Sequence, residues 1–401
     1  MKVISKSFKT IVLAAASVAA LGLTATSCVN DDLQSCPVDG GMGKTVRFRI
    51  EKPASTRTDE ATANGGTLQL NGGHLFFVNA QNQITKVVRI VDASTPSSGD
   101  SIASITDLSS TVGHPITSVP ASSITAYVVA NQPAGKLEPK LNGFLSQVMD
   151  SVIMLKEQGA VANQLLTGNG AVNPPAAGSN NYTATITAAP LTARLEIDKI
   201  TAVNPAGAAV KILSYRIDGI FVDNIYEEMN LNDSSYVAPK EYITPASGAD
   251  NTTMPAHYDK VAFDYVTAAD TTLGKAMQII SNGDTLRYTP KQDVWGYNQL
   301  APKADIAGPV ASTPNIYIRV SNIKTDNPNS VYTGEYYLTI KTLTDGGTPI
   351  TALKQGMIYE ISDIQFQLQN LQQKPGQGPI DVDVTVKLAQ WGNTDTGVIL
   401  N

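Results

Sequence analysis

Two cysteines, Cys28 and Cys36, are the residues of this 401-residue sequence with the most distinctive chemistry. Both lie in the stretch LGLTATSCVNDDLQSCP (21–37), directly behind an apolar leader. Two uses fit this placement: a disulfide that closes a small loop, and a covalent attachment that needs only one thiol of the pair. The rest of the chain contains no cysteine, so we expect its folded body to use no disulfides.

The leader has the features of a secretion signal. Lys2, Lys6 and Lys9 form a basic start, and the apolar run IVLAAASVAALGL follows from Ile11 to Leu23. This run suits the core of a signal peptide but is shorter than the roughly 20 residues that span a bilayer. We therefore expect residues 1–27 to be a signal peptide.

The residues that end the leader favour lipid attachment. Ala25-Thr26-Ser27-Cys28 resembles a bacterial lipobox, in which the cysteine is diacylated and signal peptidase II then cuts before it. Ala25 stands where a lipobox usually has Leu or another large aliphatic residue. We expect Cys28 to carry lipid, which leaves Cys36 without a role. Ordinary signal cleavage with a Cys28–Cys36 disulfide is the alternative.

Catalytic and metal motifs are weak throughout. His74, His114 and His257 are scattered without HExxH or another metal spacing, so we expect each to be structural or exposed. The stretch GDSIA (99–103) ends in Ala where a GxSxG elbow needs Gly. VDGGMGKT (38–45) has Val38 at the first Gly of a phosphate loop and runs into a strand, where that loop must open a helix.

Acid pairs and composition point the same way. Asp31/Asp32 and Asp381/Asp383 are most simply a solvated tail and a solvated strand face, so we predict no enzyme, metal or cofactor. Charged residues are 16% of the chain against a usual figure of about 25%, and the net charge is −6. Nothing in this balance favours nucleic acid or an anionic membrane surface as a partner. The length suits two domains of ordinary size.

Strand patterns dominate the chain. In TVRFRIE (45–51), Val46, Phe48 and Ile50 alternate with Arg47 and Arg49, which is the period of a half-buried strand. The polar stretch 52–66 then predicts an exposed linker. A hairpin is predicted over 74–91 around the turn 79–82, and further strands are predicted over 124–133, 182–188, 191–200, 209–222, 315–320, 335–343 and 357–368.

One segment has a helical period. In LNGFLSQVMDSVIMLKEQG (141–159), one face would carry Leu141, Leu145, Val148, Val152 and Leu155, with Gly159 as the capping glycine. With so few helices, we predict two stacked β-sandwich domains that divide near residues 188–191.

The C-terminus ends in another alternating segment. In IDVDVTVKLAQW (380–391), Val382, Val384, Val386 and Leu388 share one face, behind the Pro- and Gly-rich stretch 372–379. Burial of those four side chains would contribute on the order of 6–12 kcal/mol before conformational entropy is subtracted. The segment either packs in its own domain, with Trp391 beside it, or completes a neighbouring subunit.

Several segments together resemble the fimbrillins of the Bacteroidia, the subunits of type V pili. They are the lipobox, CVNDDLQSCP (28–37), TVRFRIEKP (45–53), AYVVANQP (126–133), LLTGNG (165–170), LTARLEI (191–197) and VDVTVKLAQW (382–391). The resemblance spans most of the chain and depends on the order and spacing of short motifs. It implies an all-β fold with two transthyretin-like β-sandwich domains in tandem, over 58–188 and 189–401, and a short helix or two in the first.

The resemblance also implies a processing pathway. Members are lipoproteins exported to the outer surface, where an Arg-specific protease removes the lipidated propeptide together with the first strand. Here the propeptide would be 28–57, with cleavage between Arg57 and Thr58, and the displaced strand would be 45–51. Arg47 and Arg49 lie inside that strand, where a protease would have poor access.

A strand from another copy would then fill the vacated groove. The resemblance assigns this role to the C-terminal segment of about 380–401, through Val382, Val384, Val386 and Leu388. The implied function is a surface fimbrial subunit supporting adhesion, with copies of itself and other pilus subunits as partners, and with a precursor held at the outer membrane of a Gram-negative bacterium.

Two alternatives stay open at this point. A lipid-retained anchor or a tip adhesin of the same superfamily is one, because anchors share the CxxDDLxxCP pattern. A surface glycan-binding lipoprotein is the other, and it would need an exposed aromatic platform such as Trp295 with Tyr297.

Overall fold

β-Strands form almost all of the regular structure in a computed structural model of the chain. The structure describes residues 43–51, 72–91, 101–102, 114–133, 135–158, 164–177, 181–231, 239, 263–265, 274–280, 285–290, 295–302, 313–376, 384–385 and 387–390. Within these residues, no helix is long and apolar enough to cross a membrane.

The strands and the one short α-helix have the following bounds. They are β1 (Lys44–Glu51), β2 (Gly73–Asn79), β3 (Ile84–Ile90), β4 (Ser101–Ile102), β5 (His114–Val119), β6 (Ser123–Ala130), α1 (Ser146–Met149), β7 (Val152–Met154), β8 (Leu166–Asn173), β9 (Tyr182–Pro190), β10 (Thr192–Ile197), β11 (Ile200–Val203), β12 (Ile212–Asp223), β13 (Glu228–Asn230), β14 (Phe263–Tyr265), β15 (Gly274–Ile280), β16 (Thr285–Pro290), β17 (Trp295–Leu300), β18 (Asn315–Thr325), β19 (Tyr336–Ile340), β20 (Leu343–Asp345), β21 (Thr348–Pro349), β22 (Met357–Ile361), β23 (Ile364–Phe366), β24 (Val384–Thr385) and β25 (Lys387–Gln390). Single 3-10 turns lie at Leu155–Glu157 and Leu368–Asn370. The all-β fold class predicted from the sequence is confirmed.

The first nine strands except β7 form one sheet in the order β4-β3-β2-β6-β8-β9-β1-β5. Strand β1 runs parallel to β9 and antiparallel to β5. One face of this sheet curls around a single apolar core, because side chains from seven of its strands meet in one buried cluster. The predicted hairpin is confirmed as β2 and β3, with Asn82 in the left-handed conformation (φ 60°) at its turn.

The second half of the chain is a layered β-structure. One layer contains the sheets β17-β10-β22-β25 and β15-β16-β11-β23, which β10 and β11 join after a two-residue break. The other layer is the sheet β14-β12-β18-β19. Aliphatic side chains from both layers, including Leu195, Ile220 and Ile318, form a second large core.

The two cores are close to each other in the fold. Phe76, Val78 and Val129 of the first sheet project into the second core, and Ile358 of β22 belongs to the first. The described residues from 43 onward form one compact unit, so the tandem domains with a boundary at 188/189 stay a prediction.

The long helix predicted over 141–159 is wrong. Only the four residues of α1 are helical, and the chain then extends into β7, which pairs with β13 through Ile153 opposite Met229. Leu141 is 59% exposed and Val152 is 48% exposed, so two of the five residues on the predicted face lie outside the core. The β-branched pair Val152-Ile153 gains more from a strand partner distant in sequence than from the local helical period.

Candidate functional site

Strand β1 occupies a slot between two neighbours in the first sheet. On one side, Val46 to Glu51 pair in register with Tyr182 to Thr187 of β9. On the other side, Val46 lies opposite Ile116 and Phe48 opposite His114 of β5. Both edges of β1 therefore make ladder contacts, as in a strand in the interior of a sheet.

The inward face of β1 fills part of the first core. Val46 and Phe48 are fully buried, and Ile50 is 7% exposed, as the alternating sequence predicts. They pack in the cluster that also contains Ile116 of β5 and Ile186 of β9. Burial of three such side chains contributes about 5–9 kcal/mol. Loss of β1 would leave an apolar groove where its three buried side chains had been. It would also leave the facing edges of β9 and β5 without a hydrogen-bonding partner.

Two cations, Lys44 and Arg49, bind β1 to neighbouring segments. Arg49 donates from Nε to Oγ1 of Thr185 at 3.2 Å. The Nζ of Lys44 donates to the carbonyl oxygens of Ala121 at 3.2 Å and Ser123 at 2.5 Å, and it lies 4.6 Å from the centre of the Tyr182 ring. Partial burial of the ammonium lowers the pKa of Lys44 from its ordinary value. These bonds fix the start of β1 to the turn that follows β5.

Strand β5 is the neighbour that sequence reasoning missed. Its inward residues, Ile116 and Val119, are buried but lie three positions apart instead of two. Ser118 has φ 54°, and this left-handed residue interrupts the alternation and shifts the register against β1. The one available signal was Pro115 and Pro120 around a short run rich in β-branched residues, which is typical of an edge strand.

The segment before the C-terminal strands is fixed to the second half of the chain. Gln372 exchanges both backbone hydrogen bonds with Tyr337 of β19, at 2.7 and 3.0 Å. The amide of Gly376 donates to Oγ1 of Thr339 at 2.9 Å. The pKa of Tyr337 is raised to about 12, by burial and by the nearby carboxylate of Glu335. Residues 372–376 of the Pro- and Gly-rich stretch 372–379 are therefore bound to β19, and residues 377–379 lie outside the described residues.

The C-terminal strands lie at sheet edges. In β24, Val384 pairs with Leu343 of β20, and in β25, Leu388 pairs with Tyr359 of β22. Both strands are terminal members of their sheets, so neither separates two other strands. The described residues Val384–Thr385 and Lys387–Gln390 thus pair within their own chain, and they could leave without splitting a sheet.

Several predicted site residues lie outside the described residues. They are Cys28, Cys36, Arg57, Thr58, Val382, Val386, His257 and Trp391. For Val384 and Leu388 the structure describes the backbone pairing alone.

Other candidate sites receive little support. The ring Nδ1 of His74 lies 3.0 Å from Oε1 of Gln132, in a hydrogen bond on the first sheet. Among the described residues, no group of three His, Cys, Asp or Glu side chains could hold a metal ion. Tyr297 is 1% exposed and belongs to the second core, so it cannot form the exposed aromatic platform that the glycan-binding alternative would need. Tyr297 of β17 lies opposite Leu195 of β10, and both side chains belong to the second core.

Comparison with solved structures identifies the architecture. A fimbrilin from Porphyromonas gingivalis superposes with a TM-score of 0.52 at 13% sequence identity, over 90% of this chain and 99% of that one. This chain has the fimbrilin fold. A candidate cell-adhesion protein from Bacteroides eggerthii superposes with a TM-score of 0.50 at 13% identity, over 88% of this chain and 98% of the other. No family model matches the sequence. No curated protein matches it either.

The superposition with the fimbrilin covers almost the whole of both chains, so the fimbrilin fold includes both cores of this protein. At this level of identity the comparison establishes the fold alone.

Proposed function

We propose that this protein is a structural subunit of a surface fimbria, which polymerises when its first strand is removed and a C-terminal strand of another copy replaces it. The observation that carries the proposal is the position of β1. It lies between two strands and buries three core side chains, yet it is the first described strand of the chain and follows the lipobox-like stretch 25–28. The fold shared with a fimbrilin is consistent with this role.

The distribution of arginines supports one processing site. Of the eight arginines in the sequence, all except Arg57 lie within β-strands that pair with neighbours, namely Arg47, Arg49, Arg89, Arg194, Arg216, Arg287 and Arg319. A protease needs several residues of accessible extended chain, which a strand within a sheet does not offer. Cleavage after Arg57 removes β1 and both cysteines together. Signal peptidase II and an Arg-specific surface protease are the processing partners in this account.

The replacement strand is the segment 380–401. Strand 382–388 alternates with the same period as β1, so it can supply both main-chain hydrogen bonds and inward apolar side chains. To reach another subunit it must first give up its pairs with β20 and β22, which are edge contacts. The resulting contact joins the tail of one copy to the groove of the next, and such a heterologous contact propagates into a filament. The precursor does not polymerise because β1 fills its groove.

A truncation after Gly376 tests the role of the C-terminal strands. We expect this chain to fold and remain soluble after processing but to form no fibres, because it loses two edge strands and keeps every described residue of both cores. The truncation point preserves the Gln372–Tyr337 pair and the Gly376–Thr339 bond. Thermal unfolding and negative-stain electron microscopy on one preparation measure both properties.

Two results would contradict the assignment. Fibres from the truncated chain would show that the donor strand lies elsewhere. Aggregation or a broad loss of the folded state would show that the strands are internal to their own domain, since the total stability of a domain is only about 5–15 kcal/mol.

The lipid attachment site gives a second prediction. Cys28→Ser should abolish acylation and retention of the precursor at the outer membrane, whereas Cys36→Ser should leave both unchanged. Metabolic labelling with a clickable fatty acid, followed by gel fluorescence, measures the attachment. Equal defects in the two variants, with no label in the natural chain, would instead indicate a Cys28–Cys36 disulfide.

A further inference from the structure

Strand β5 depends on β1 for its place in the first sheet. Among the strands that the structure describes, β5 stands at the end of the order β9-β1-β5 and pairs with β1 alone. Strand β9, on the other side of the slot, also pairs with β8 over most of its length. Removal of β1 therefore leaves β9 held in the sheet and takes away the strand partner of β5.

The turn after β5 depends on β1 as well. Residues 120–122 connect β5 to β6, and Ser123 donates to the carbonyl oxygen of Pro120 at 3.0 Å. Lys44 of β1 donates hydrogen bonds to the carbonyl oxygens of Ala121 and Ser123 at this turn. When β1 leaves, β5 thus loses its backbone pairing with β1 and the hydrogen bonds of Lys44 together. Residues 120–122 then still connect β5 to β6.

The sequence of β5 makes it a poor strand without this partner. Pro115 has no N–H to donate, and Ser118 holds the left-handed conformation, which interrupts regular pairing. Its contribution to the core is limited to the side chains of Ile116 and Val119. Burial of two side chains contributes about 3–6 kcal/mol, which is less than the roughly 6–12 kcal/mol that ordering the backbone of six residues costs.

We propose that β5 is the second wall of the acceptor groove and becomes ordered only when a strand occupies the place of β1. The inference rests on the proposed function, since the natural occupant after processing is the C-terminal strand of a second copy of this chain. That strand pairs on both sides. On one side it pairs with β9, whose edge is already ordered, and on the other with β5, which becomes ordered when the strand binds. Ordering of β5 is then part of the subunit contact.

Hydrogen exchange of the full-length chain tests the dependence directly. Phe48→Ala should loosen β1, and we expect the amides of β1 and β5 to exchange about 100-fold faster together while those of β2 and β6 keep their rates. Phe77→Ala is the matched control, because Phe77 is buried in the same core but lies on β2. In that variant β5 should not be selectively exposed. Faster exchange in β1 with unchanged β5 in the Phe48 variant would overturn the inference.

A second measurement uses the chain of residues 58–376, which lacks both β1 and the C-terminal strands and so cannot fill its groove by assembly. It separates this inference from the donor assignment. The β5 amides of this chain should exchange freely, and a synthetic peptide of residues 43–51 should restore their protection. Protection of β5 before any peptide is added would overturn the inference. A peptide of residues 377–401 should act like the first peptide. If the 43–51 peptide alone restores protection, β5 is confirmed as the second wall and the C-terminal donor strand is excluded.

Discussion

Replacement of Arg57 by Ala is expected to leave a lipid-anchored precursor at the cell surface and to abolish fibres. The precursor keeps β1 in its slot, where Val46, Phe48 and Ile50 are buried and both edges are paired. The incoming strand would have to displace it, and the lost burial of about 5–9 kcal/mol opposes that exchange. N-terminal sequencing of the surface form and electron microscopy of the cells measure the two effects.

Arg89→Ala is the control for this experiment. Arg89 is exposed but lies within β3, which pairs with β2, so its loss should alter neither the mature N-terminus nor fibre formation. In the natural chain the mature protein should begin at Thr58. A mature form that begins at Cys28 in cells with long fibres would contradict the stalk assignment and favour a lipid-retained anchor.

Val384→Asp combined with Val386→Asp is expected to abolish fibres in a chain that is still processed. The sequence alternation predicts both side chains on one apolar face of the donor strand, so two carboxylates would have to enter the groove of the next subunit. An isolated ionised carboxylate in an apolar environment costs several kcal/mol or more, far beyond the lost contacts of two valines. Because these residues are at or beside an edge strand of their own chain, the monomer should unfold near its usual temperature.

The matched control places the same charges on the other face of the strand. Thr385→Asp with Lys387→Asp adds two carboxylates at alternate positions that point away from the groove, so fibres should still form. Electron microscopy and thermal melting of all three chains distinguish the cases. Normal fibres from the Val384/Val386 variant would exclude 382–388 as the donor strand.

Local alternation was enough to predict the elements that carry the proposed function. The pattern of Val46, Phe48 and Ile50 predicts both the strand and its buried face, and the structure confirms each. The hairpin of β2 and β3 was equally predictable, because its turn and both of its strands lie within about twenty residues. In both cases the period of a few neighbouring residues carries the whole signal.

Contacts between distant residues were not predictable in this way. Strand β7 forms where a helix is expected because β13 pairs with it from more than seventy positions further along the chain. Strand β5 is positioned by its pairing with β1, which precedes it by a similar number of residues. Its prolines and the left-handed residue Ser118 interrupt the two-residue alternation that would have predicted a strand. The alternation of the segment 380–391 likewise predicts a strand but does not predict whether it pairs in its own chain or in another.

The central claim is that a C-terminal strand of one copy lies beside β9 of another, and a disulfide between the two tests it most directly. The form that begins at Thr58 contains no cysteine, so any disulfide that forms must come from the engineered cysteines. Thr185 of β9 accepts the hydrogen bond from Arg49 and so lies on the outward face of the slot. Each of three variants would carry Thr185→Cys together with a second cysteine in the same chain. The second cysteine replaces Asp383, Thr385 or Lys387, which are predicted to share the outward face of the donor strand.

Fibres of these variants, oxidised and run on a non-reducing gel, decide between the two arrangements. The account predicts a ladder of covalently linked oligomers in at least one of the three variants, which collapses to monomer on reduction. Fibres that form normally but yield only monomers in all three variants would contradict the claim that this strand replaces β1.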